Sequence, residues 1–163
     1  MNAPQHCQST AELCNYVLDS YLADLTDAEL MTRPGPGCNH LAYQLGHLIE
    51  SHVSMMNDLS PGSGPELPAG FKQKHSKESA GSNNPDDFYK KDEYVALLAK
   101  CREAAKAELA KATDADFDKP APESMRQWFP TVGHIWALIA THPLMHSGQF
   151  VPVRRSLGKP VVM

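Results

Sequence analysis

The chain has 163 residues, 42% of them hydrophobic and 21% charged, with a formal net charge of −4. Those values suit one soluble domain over residues 1–163, large enough to bury its own core. They exclude the clustered Lys/Arg footprint of a nucleic-acid binder, because the densest basic spot is only Arg154-Arg155 with Lys159.

In chain order, a first helix is predicted from Ser9-Thr10-Ala11-Glu12, a capping box, with Leu13, Val17, Leu18, Tyr21, Leu22 and Leu25 at helical spacing. A second box, Thr26 to Glu29, predicts a short helical turn before the breaker Arg33 to Gly37. Asn39 is the expected N-cap of the next helix, which runs to Leu59 with a stripe of Leu41, Leu45, Leu48, Ile49, His52 and Met56. Ser60 to Asp87 is rich in Gly, Ser, Pro, Asn and Lys, and so long a connection is expected to be a flexible cover near one end of the molecule. A third long helix is predicted from about Phe88 to Thr113, with Tyr94, Leu97, Leu98, Cys101, Ala105 and Leu109 inward. The fourth begins near Thr131 and ends before Gly158-Lys159-Pro160. Four long helices, no strand alternation and one long crossing loop between the second and third predict an all-α four-helix bundle.

No apolar run reaches the roughly 18 residues of a membrane span. The N-terminus lacks the regions of a secretory signal, and the four cysteines (Cys7, Cys14, Cys38, Cys101) form no CxxC pair. A cytoplasmic protein with no membrane or nucleic-acid partner is the expectation.

Eight histidines are the compositional oddity. His142 and His146 lie one turn apart on the face that carries Ile135 and Ile139, so both are expected inside. Two buried imidazoles need partners, which a shared metal ion supplies, or else backbone carbonyls and water do. On the second long helix, His47 sits in a stripe with His40, Tyr43, Gln44, Ser51 and Ser54, and it follows Gly46, a costly helix residue that implies a close approach. His40 is too far along the axis to share an ion with His47. His52 falls on the apolar stripe as a packed core residue. His134 is expected at the rim, and His6 and His75 in solvent. The nominated triad is therefore His47, His142 and His146, three imidazoles with an open position, as in catalytic metal sites. Zn²⁺ is the default ion, and imidazole also suits Ni²⁺ and Fe²⁺. Gln149 and Glu50, each one turn beyond a ligand, are candidates to support it. No residue is marked as catalytic by itself, and a Cys38–His40 dyad lacks any sign of activation. Pro143, directly after His142, is expected to kink the helix and angle His142 towards the ion; the alternative is an outward-facing proline that bends the helix around the core.

The segments "NHLAYQLGHLIESH" and "PTVGHIWALIATHPLMHSGQFVPVRRSLGKP" resemble the DinB/YfiT-like superfamily over nearly the whole chain, through "LGHLI", the H-x3-H-x-G-Q segment and "RRSLGKP". The resemblance implies an up-down-down-up bundle and a divalent metal held by His47, His142 and His146. It also implies homodimers, a small-molecule substrate and, in some members, a low-molecular-weight thiol used by S-transferases or isomerases. Tyr43 departs from the tryptophan common in relatives. A metal-dependent transferase or hydrolase is the leading expectation. The alternative is a non-catalytic metal-binding or interaction bundle, which a fourth protein ligand such as Glu50 would favour.

Overall fold

The computed structural model describes residues 1–162. Its long helices are α1 (Ala3–Leu22), α3 (Leu41–Leu59), α5 (Lys91–Leu109) and α7 (Val132–Ser156). Between them lie the single-turn helices α2 (Asp27–Leu30), α4 (Phe71–Lys74) and α6 (Asp114–Phe117). No strand occurs among the described residues, so the expected all-α bundle is the observed fold. α1 packs mainly along α7, while α3 packs against both α5 and α7. That arrangement sets the inner faces of α3 and α7 side by side. No helix of the described residues is long and apolar enough to cross a membrane.

The first helix starts earlier than the Ser9 box predicts. Asn2 is its N-cap, accepting the Gln5 backbone N–H at 2.9 Å, while the Gln5 side chain takes the Asn2 N–H. His6 is exposed on the first turn of this helix rather than in a tail. The second box forms as predicted, with Glu29 N–H on Thr26 Oγ1 at 3.3 Å and Thr26 N–H on Glu29 at 2.7 Å. α3 is capped by His40 instead of Asn39: the buried imidazole Nδ1 accepts the Tyr43 N–H at 3.0 Å. α5 begins three residues after Phe88, because Phe88 itself is buried edge-on against the His40 ring, centroids 4.4 Å apart. Its six predicted inward residues are all buried.

Segment 60–87 departs most from expectation. Phe71 is 1% exposed and His75, expected in solvent, is 6% exposed. His75 Nδ1–H donates to the Phe71 carbonyl at 2.9 Å, and Nε2 meets the Tyr94 hydroxyl at 2.8 Å. Arg33, from the breaker before α3, donates to the carbonyls of Ala80 and Ser82 at 3.1 Å and to Asn83 Oδ1. The segment is thus a clasped wall of the molecule rather than a free cover.

α7 runs unbroken through Pro143 and Pro152. The Pro143 ring is buried, beside Asn15, His52 and Ile139, which overturns the outward-facing reading. Near its end, Arg154 is 1% exposed; it donates to the Tyr21 carbonyl at 2.8 Å and the Pro160 carbonyl at 2.7 Å, and it pairs with Asp24. The basic spot in the sequence is therefore partly internal, a clasp between the ends of α1 and α7.

Candidate metal centre

α3 and α7 bring His47, His142 and His146 together, with one possible ligand atom of each within 4.8 Å of the others. The ring centroids are 5.3 Å (His47–His142), 5.4 Å (His47–His146) and 4.9 Å (His142–His146) apart. His142 is 8% exposed and His146 9% exposed, while His47 is half-buried. The one-turn spacing on α7 therefore aims two imidazoles inward, and α3 supplies the third from across the bundle.

The donor set fits a divalent ion. His146 Nε2 and His142 Nε2 are 3.2 Å apart. Two nitrogens on a tetrahedral ion at 2.0–2.1 Å would stand roughly 3.3–3.4 Å apart, so little movement is needed. The tautomer of His146 is set from behind. Gln44, 2% exposed, gives its amide N–H to the Asn39 carbonyl at 2.8 Å, which leaves Oε1 to accept the His146 Nδ1–H at 3.0 Å. With the proton on Nδ1, Nε2 carries the lone pair that faces His142. Ser51 Oγ lies 3.5 Å from His47 Nδ1, a weaker version of the same support.

Burial drives the pKa of His142 and of His146 down to about 4, with repulsion from the neighbouring imidazoles adding to it. Burial also lowers that of His47, against an opposing pull from Glu50. All three are neutral at pH 7, the form that ligates metals. The shifts also fix how the metal-free fold responds to acid. The unfolded chain takes up these protons near pH 6.5 and the folded chain only at lower pH, near 4 for His142 and His146, so stability is full above 6.5 and is lost as pH falls through that window. His40 and His52, likewise pushed to about 4 by burial, add with the same sign. Urea unfolding of metal-free protein should show stability falling between pH 6.5 and pH 4, by at most about 1.4 kcal/mol per pH unit for each such histidine. A flat profile would contradict the buried, neutral state of the cluster.

Two sizeable clefts reach the triad. The larger, about 740 Å³, is lined by His47, His146, Gln44, Tyr43, Glu50, Lys72, His75 and Gln149 among others. The smaller, about 350 Å³, meets His47 and His142 and carries Ser51, Ser54, Asp58, Ser124 and Met125. Of the supporting residues expected from sequence, Gln149 lines the larger cleft, and Glu50 lines both while pairing with Lys72 at 3.4 Å. The residue that braces a triad member most closely is Gln44, which lies on the polar stripe legible in the sequence but carries no local mark of that role. The close approach implied by Gly46 is real, but its partner is His75: a Cβ at position 46 would lie 1.9 Å from the imidazole. His134 is exposed and His40 is committed to capping α3, which leaves the Cys38–His40 dyad without its base.

A family model described as the DinB superfamily matches residues 11–150. In structure the chain is similar to a conserved protein from Enterococcus faecalis, with a TM-score of 0.66 over 98% of this chain and 99% of that one. Their sequence identity is 17%, so this likeness speaks to the fold alone. No curated protein matches the chain.

Proposed function

From the chain's membership of the DinB superfamily, we propose that His47, His142 and His146 hold a divalent metal ion and that the protein is a metal-dependent enzyme, a thiol-dependent S-transferase or a hydrolase. The observation that carries this reading is the convergence of three neutral imidazoles from two helices, opening onto a cleft of about 740 Å³. Among the described residues no carboxylate or thiol joins the group of three, which favours a site with room for a ligand over a closed structural one. Zn²⁺ is the proposed ion, with Ni²⁺ or Fe²⁺ as alternatives of the same ligand preference. The small-molecule substrate is placed in the larger cleft, and a cytoplasmic homodimer is the proposed setting.

When bound, such an ion polarises a water or thiol and makes it a nucleophile near neutral pH. The chain's own contribution is placement. His142 and His146 present Nε2 from adjacent turns, Gln44 locks the proton of His146 on the far nitrogen, and the buried surroundings keep the imidazoles unprotonated. Metal analysis of purified protein should find about one equivalent of a transition metal, followed by activity in a screen of thiol and ester substrates that chelation abolishes. Protein that neither carries nor takes up metal would sink the reading.

Gln44 offers a graded check. Gln44→Ala leaves the His146 Nδ1–H without its acceptor and frees the ring to rotate. Metal affinity measured by calorimetry should fall about 10- to 100-fold, the range seen when outer partners of ligating histidines are removed. An unchanged affinity would mean that the Gln44 contact does not orient the ligand.

A further inference from the structure

The two sizeable clefts that meet the triad share a wall made of His47 and Glu50, both on α3. Glu50 lies one turn beyond His47, so its side chain leaves the same face of the helix. Among the described residues lining the larger cleft it is the sole carboxylate. Its side chain is 31% exposed, and its ion pair is with Lys72, which is 67% exposed, at 3.4 Å. An exposed pair of that kind contributes at most about 1 kcal/mol, so the lysine orients the carboxylate without tying it up. The carboxylate also acts electrostatically on His47.

We propose that Glu50 is the proton acceptor of this site, taking the proton from an O–H or S–H group as that group enters the triad's open side from either cleft. This rests on the metal reading above. The bond that breaks is the O–H or S–H of the incoming ligand, its electron pair stays on the oxygen or sulfur that turns towards the triad, and the proton forms a new bond to a Glu50 Oε. The ligands this favours are protic and uncharged in solution, in contrast to anions that arrive already deprotonated. A base so placed typically contributes 10²- to 10⁴-fold to a rate.

Stopped-flow association kinetics on Zn²⁺-loaded protein test the proposal without knowledge of the substrate. The probes are acetohydroxamic acid, a neutral O–H acid at pH 7, and azide, already an anion. In Glu50→Gln the hydroxamic acid should associate at least about tenfold more slowly, while the association rate of azide stays within about threefold of wild type. Glu50→Asp, which keeps a base one methylene shorter, should recover part of the loss. Equal changes for both probes, or none for the hydroxamic acid, would overturn the assignment. So would a hundredfold fall in Zn²⁺ affinity in Glu50→Gln, which would make Glu50 a ligand instead. Wild-type protein that takes up no Zn²⁺ overturns the metal reading and this inference together, an outcome seen before either probe is added.

Discussion

Substituting His146 with alanine should lower Zn²⁺ or Ni²⁺ affinity by more than about a hundredfold, exceeding the effect of removing a partner behind a ligand. The geometry makes this the most sensitive of the three positions. His146 supplies the nitrogen 3.2 Å from His142 Nε2, and it is the histidine held by Gln44. Its loss leaves two nitrogens on different helices, with nothing to fix their separation. It also strands Gln44 Oε1 in a buried place without a donor, at a cost of about 1–3 kcal/mol. The metal-free variant should therefore be somewhat less stable than metal-free wild type, and added metal should no longer raise its melting temperature, since only binding to the folded state stabilises it. Titration calorimetry and thermal unfolding with and without Zn²⁺ check both halves. An unchanged affinity would remove the site.

Gly46→Ala should be the most damaging single methyl group in α3. On propensity alone alanine gains about 1 kcal/mol over glycine inside a helix. Here the new Cβ would lie 1.9 Å from His75 Cδ2 and 2.2 Å from Nε2, inside the ring itself. The imidazole cannot slide away cheaply, because its two nitrogens are engaged by the Phe71 carbonyl and the Tyr94 hydroxyl. Overpacking of about 1–3 kcal/mol and the loss of one or both hydrogen bonds, at about 1 kcal/mol each, outweigh the helical gain. A net destabilisation of about 2–3 kcal/mol is expected in urea unfolding. The sign should reverse in a His75→Ala background, where the space is free and the helical preference is left to act. Destabilisation that persists in that background would show that something other than His75 forbids the methyl group.

How far the sequence could be read follows from the range of each interaction. His142 and His146 were legible because their relation is one helical turn, and His47 because a histidine after a mid-helix glycine on a polar stripe is locally odd. The stripes of α3 and α5 were legible for the same reason, as a period repeats within each segment. Gln44 was not assigned, since its partner lies 102 residues away and nothing near it marks that distance. The burial of His75 and that of Arg154 are hidden from the sequence for the same reason. Each is a polar residue in a segment of exposed composition, made internal by acceptors that only the folded chain supplies: Phe71 and Tyr94 for one, Tyr21 and Asp24 for the other. The start of α1 was misplaced because Asn2–Gln5 and Ser9–Glu12 both fit a capping pattern, and the backbone took the earlier.

The pairing of α1 with α7 has a consequence during synthesis. α1 leaves the ribosome well before α7, its main neighbour, and the clasp of Arg154 on Tyr21 has to close across 133 residues of chain. At roughly 10 residues per second, the apolar side of α1 waits about ten seconds for its complement. The apolar side of α1 is therefore open to premature association until the turns of α7 emerge.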